Sequence, residues 1–181
     1  MTNAMINNPR NNPHSHQSGS GFSLVEMMVA VAIIAILATV AIPASQNMII
    51  QSRLSSQTND LVGAIQAARG EAIKRNQQIR FCRTASADGT DCAGAGRWEF
   101  WIVVNTANTV LRRGSINSEL RLTSTLNLGR LTFIPSGTNS VTTGNDSLTL
   151  CSPTGSGNTA RLITVGLGGR TSISKTTGAC S

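Results

Sequence analysis

Histidine is nearly absent from this 181-residue sequence: His14 and His16 are the only two, and both fall in the first 21 residues. Everything after them lacks an imidazole, which removes Ser-His and Cys-His nucleophile pairs and histidine-based metal sites. Also missing is any C-x-x-C pair, so the four cysteines offer no zinc-like ligand spacing. Two short stretches imitate catalytic motifs. Ser172-Ile-Ser-Lys175 fits S-x-x-K but lies in a predicted strand rather than at a helix start, and the segment at 155–160, GSGNTA, precedes a strand instead of opening a helix. Asp88 and Asp91 share a small Cys-bounded loop and read as solvated residues rather than calcium ligands. The expectation is a chain without catalytic residues, metal or cofactor.

Charge is missing from one region in particular. Between residues 22 and 42 only Ser23, Glu26 and Thr39 are polar. A helix of that length reaches roughly 31 Å, about one hydrocarbon core. A helix buried in a small soluble domain would show a polar stripe, and this one has none. The first half of the helix is therefore expected to cross a membrane. Residues 1–21 are rich in Asn, Pro, Ser and Gly, without periodicity, and read as a disposable leader. An ordinary signal peptide in front of a secreted β-rich binding domain is the competing reading. It is disfavoured because the apolar run is longer than a usual h-region and Arg10 is the leader's only cation.

Pro43 removes a backbone donor and is expected to kink the helix. Beyond it, Leu54, Leu61, Ile65, Ala68 and Ala72 recur at helical spacing, opposite Arg53, Asp60, Gln66 and Arg69. From there the pattern turns to short runs of β propensity at 79–83, 98–105, 131–134, 147–151, 161–165 and 171–175, separated by turn signals such as Asp88-Gly89. The fold class expected is α+β, a long N-terminal helix packed on an antiparallel β-sheet head. The expected divisions are 1–21 leader, 22–43 membrane segment, 44–78 amphipathic continuation and 79–181 β-rich head. All four cysteines follow the apolar run, as in an exported, oxidised domain. Three pairings are possible. The sequence-local one, Cys82 with Cys92 and Cys151 with Cys180, is preferred, contributing about 3 and 4 kcal/mol on the chain-entropy model.

One polar residue in the apolar run is hard to explain alone. Glu26 sits in the first turn of a membrane helix, where a carboxylate needs a partner, and the run holds no Lys or Arg. The sequence GFSLVE, followed by an apolar run and Pro43, resembles the class III signal of type IV pilins and type II secretion pseudopilins. The resemblance implies cleavage by a prepilin peptidase between Gly21 and Phe22 and N-methylation of Phe22. It also implies that Glu26 pairs with a subunit's free N-terminal ammonium during filament assembly, an attraction strengthened in low dielectric. Further along, AIQAARGEAIKRNQQIRFC at 64–82, LRRG at 111–114, LTFIPSG at 131–137, LTLC at 148–151 and RLITVGLGGR at 161–170 are similar, in that order, to the GspH/FimT/FimU group of minor pilins and pseudopilins. That implies a pilin fold and a single-pass inner-membrane protein with its head in the periplasm, serving the priming or tip complex of a pseudopilus or pilus. Its implied partners are other pilin subunits, the prepilin peptidase, the inner-membrane assembly platform and membrane lipid.

Charge distribution suggests an alternative. Apart from Arg10, the Lys and Arg residues, fourteen of the fifteen, follow Pro43, and most are Arg, whose planar fork suits phosphate. FimT-type minor pilins are implicated in DNA uptake through a C-terminal G-R-x-R motif. Gly169 and Arg170 match its first half, while Ser172 stands in place of the second Arg. Arg161, Arg170 and Lys175 are the candidate DNA contacts under this alternative, against a plainly solvated basic surface.

Overall fold

The computed structural model describes residues 21–94, 96–140, 146–153 and 159–177, with the side chains at 40–44, 159 and 177 left aside. The chain divides into two compact units, Met1–Ala41 and Ile42–Ser181. Helix α1, Leu24–Arg75, starts in the first and ends in the second. Its helical backbone runs through Pro43.

The end of α1 is set by local chemistry. Lys74 and Arg75 occupy the last turn, where positive charge complements the helix dipole. Asn76 then takes a left-handed conformation at φ 51°, Gln77 N–H donates to Ala72 O and Asn76 N–H donates to Ile73 O. This Schellman closure stops the helix three residues short of the expected boundary at 78.

Among the described residues the second unit carries eight strands: β1 Ile79–Thr84, β2 Phe100–Asn105, β3 Val110–Ser115, β4 Arg121–Ser124, β5 Arg130–Phe133, β6 Asp146–Cys151, β7 Thr159–Val165 and β8 Thr171–Thr177. They form two four-stranded sheets, in the orders β3-β2-β1-β5 and β4-β6-β7-β8, with antiparallel pairing throughout. The expected α+β arrangement holds, with two sheets where one was anticipated. β3 and β4 were not anticipated as strands. Both are edge strands: β3 exposes Arg112 and Arg113, and β4 is four residues long with a single buried position, so neither carries a strong apolar signal.

One core joins the helix to both sheets. Leu54, Leu61, Ile65, Ala68 and Ala72 of α1 are fully buried with Phe81, Trp101, Val103, Leu131 and Phe133 of the first sheet and Leu148, Leu150 and Ile163 of the second. The apolar face read from the sequence is therefore the face that packs. β2 is buried on both sides. Trp101 and Val103 enter the main core, while Ile102 and Val104 join Cys82 in a smaller cluster on the opposite face, against Cys92 and Val110. Trp101 fits because Gly114 lies opposite it across the β2/β3 pair; a Cβ at Gly114 would meet Trp101 Cζ2 at 2.3 Å.

Candidate functional site

The candidate site is the N-terminal apolar segment. Every large apolar side chain between residues 22 and 37 is exposed, from Phe22 at 78% through Met28, Ile34 and Leu37. Glu26 lies in the first turn of α1, where a carboxylate meets the positive end of the helix dipole, and Met27 N–H donates to Ser23 O to close that turn. A Cβ at Gly21 would touch nothing within 4 Å. Among the described residues no helix is long and apolar enough to cross a membrane. The side chains at 40–44, including Pro43, belong to the same apolar run and lie outside the described residues.

In the second unit, the helix face that read as polar makes bonds to the head. Arg53 pairs with Glu119, and Asp60 Oδ1 accepts from Arg112 Nη2 at 3.2 Å. Gln66 Nε2 donates to Thr171 Oγ1 at 2.8 Å, and Arg69 Nε donates to Gly137 O at 2.9 Å. The Arg69 contact holds two turns together. Gly169, at φ 70°, lies so close that a Cβ there would meet Gly137 O at 2.4 Å and Arg69 Nε at 2.9 Å.

The cysteine expectation holds where it is described. Cys82 and Cys92 form a disulfide, which ties the loop after β1 over the outer face of the first sheet. Cys151 is also disulfide-bonded, and Cys180, its expected partner, lies outside the described residues. Within the disulfide loop Asp91 accepts from Asn108 Nδ2, whose Oδ1 accepts from Arg80 Nη2 at 2.6 Å. Asp88 lies 3.8 Å from Arg113, and no cluster fit to hold a metal ion occurs among the described residues.

The three basic candidates do not share one environment. Arg170 and Lys175 are exposed, the first in the turn between β7 and β8 and the second on β8. Arg161 is only 6% exposed; its Nη2 donates to Gln51 Oε1 at 2.8 Å and its Nη1 to Ala160 O at 3.5 Å. That placement corrects the expected surface role of Arg161: its guanidinium is spent on fastening β7 to the helix. Sequence reasoning missed Gln51 as its partner, since the two are 110 residues apart and no local pattern links them. Two groups have shifted acidity. The Arg75 hydrogen bond holds the Glu71 carboxyl below its usual value. Burial pushes Asp146 above its usual value, opposed by the hydrogen bond from Asn139.

Comparison with known proteins bears on this arrangement. A family model described as type II transport protein GspH matches residues 57–169, and one described as the prokaryotic N-terminal methylation motif matches residues 18–42. Over 72 residues the chain is 49% identical to the type IV major fimbrial protein FimA of Dichelobacter nodosus. The match takes in 40% of this chain and 39% of that protein, well short of two thirds of the relative's length. Two crystal forms of the type IV minor pilin FimU of Pseudomonas aeruginosa are similar in fold, with TM-scores of 0.52 and 0.53 and 20% identity. They cover 67% and 68% of this chain and 92% and 90% of FimU, a likeness of fold alone.

Proposed function

Because the chain belongs to the GspH family, a type IV minor pilin or pseudopilin of the GspH/FimT/FimU type, we propose that it is a non-enzymatic subunit for assembling a type II secretion pseudopilus or type IV pilus. The observation that carries the reading is the run of exposed apolar side chains between residues 22 and 37. Exposed apolar surface on that scale needs lipid or other subunits around it. In this reading residues 1–21 are removed by prepilin peptidase, Phe22 is N-methylated, and residues 22–43 anchor the protein in the inner membrane with its head in the periplasm. On extraction by the assembly platform, Glu26 pairs with a terminal ammonium in the filament.

Intact-mass analysis tests the processing step: the mature chain should begin at methylated Phe22, and a start near residue 42 or 44 would refute the reading. Glu26→Ala should leave cleavage intact and impair incorporation into filaments. Unimpaired incorporation would remove the charge-pair mechanism.

The exposure of Arg170 and Lys175 supports a second reading, DNA capture during uptake. Gel shifts with the full chain test it: Arg170→Ala and Lys175→Ala should weaken binding and flatten its salt dependence. Absence of binding at physiological salt rejects this reading.

A further inference from the structure

Beside the outer edge of β4 lies a groove of about 480 Å³ that the assembly reading leaves unused. Its apolar surface comes from Trp98, Leu122, Leu126 and Leu128, and its described lining includes Arg97 and Arg121 and no acidic residue. We propose that this groove docks an extended, acid-bearing peptide strand from a different filament subunit, which adds alongside β4 and sets a carboxylate against Arg121 and Arg97.

Three observations point to a strand as the occupant. First, β4 ends its sheet, so among the described residues it pairs with β6 alone. Thr125 N–H donates to Ser147 O, and the register places Thr123 opposite Thr149 and Arg121 opposite Cys151. By antiparallel alternation those residues turn their backbone groups toward β6, and Leu122 and Ser124 turn theirs to the open edge. An added strand would meet those groups, the usual chemistry of strand addition at a sheet edge. Second, Leu128 is 56% exposed and holds a left-handed backbone at φ 52°. Asn or Gly would suit that conformation better, so an outward Leu there puts apolar contact ahead of backbone comfort. Third, the floor is rigid: Trp98 stacks on Phe81 with ring centroids 5.8 Å apart, and its Nε1–H donates to Ser124 Oγ at 3.1 Å.

The charge fixes the chemistry of the occupant. Arg121 is exposed, and Arg97 has only a loose, solvated pair with Glu99 at 3.6 Å. Arg121 can form charge-assisted hydrogen bonds directly, and Arg97 can do so by exchanging its exposed pair with Glu99. A second copy of this chain is a poor occupant, because its net charge is +7. The inference takes its partner class from the assembly reading. Its test, however, is a binding measurement, and it can fail while Glu26-dependent incorporation succeeds.

The full chain, purified in detergent, is titrated against three labelled ten-residue peptides of alternating Val and Thr carrying two Glu, two Gln or two Lys. Fluorescence anisotropy should show saturable binding of the Glu peptide, at least ~10-fold weaker binding of the Gln peptide and weaker still of the Lys peptide. Arg121→Glu should weaken the Glu peptide at least ~10-fold. Leu128→Asn, an exposed change that suits the backbone, should weaken all three with an unchanged circular dichroism spectrum. Amide exchange at Leu122 and Ser124 should slow when the Glu peptide binds. Equal affinity for the three peptides, indifference to Arg121→Glu, or equal displacement by a single-stranded oligonucleotide of matched charge would each overturn the proposal. So would self-association that Arg121→Glu abolishes, since that outcome makes a second copy the occupant.

Discussion

The two stretches of α1 share one helical backbone and have opposite surroundings. In residues 22–37 every large apolar side chain is exposed, whereas Leu54, Leu61 and Ile65 are fully buried against two sheets. Helical geometry alone therefore says nothing about where a side chain ends up. The difference lies in patterning. The first stretch is apolar all round, while the second has a stripe that one core fills, with polar groups that bond to the head. Burial in the second stretch is a stability matter. In the first it is left to whatever surrounds the protein, which is why assembly is proposed there.

The sharpest way to break this contrast is paired truncation. Leu61→Ala should cost about 2–5 kcal/mol of head stability, because a fully enclosed side chain leaves a cavity. Ile33→Ala should stay within about 0.5 kcal/mol in the same urea titration of the detergent-solubilised chain. Equal losses would mean that the first stretch is also part of a folded core. The disulfide tests whether the function of the first stretch depends on the stability of the head. Replacing Cys82 and Cys92 together by Ser should lower stability by about 3 kcal/mol, read as an earlier unfolding midpoint, with Glu26-dependent incorporation retained below that midpoint.

Gly169→Ala is expected to cost about 1–3 kcal/mol, since it forces a left-handed residue and crowds Gly137 O where Arg69 is bound. Thermal melts of this variant and of Arg69→Ala should show effects that do not add, as the two changes disturb one contact.

The smallest effect concerns pH. Asp146 is buried and its acidity is weakened in the folded chain, so the folded state holds that proton more tightly than the unfolded state does. Its contribution is fully present below the ordinary aspartate value and is lost as pH rises through the raised folded value. Asp146→Asn should therefore gain on the parent chain between acidic and neutral pH in urea midpoints. A gap between the two that stays constant with pH would show that Asp146 titrates normally.

Much of the head was legible because its signals are local. The stripe from Leu54 to Ala72 predicted the packing face, apolar runs predicted β1, β2 and β5 to β8, and short spacing predicted the disulfide between Cys82 and Cys92. β3 and β4 were not legible, since an edge strand needs little apolar character and takes its hydrogen bonds from a neighbour. The pairing of the face carrying Arg53, Asp60, Gln66 and Arg69 was not legible for a related reason. Its partners, Glu119, Arg112, Thr171 and Gly137, are distant in sequence, so periodicity could report polarity but not pairing.

By itself, then, the sequence determined the uninterrupted apolar run with Glu26 in its first turn, and the switch from helical to strand patterning near residue 76. These are properties of neighbouring residues, read through helix and strand periods. Only the tertiary structure decided that Arg161 is buried on Gln51 rather than presented outward, that the described strands divide into two sheets, and that the outer edge of β4 borders a basic apolar groove. Those outcomes depend on which surfaces meet after the chain has closed long loops, and a local pattern holds no record of such meetings.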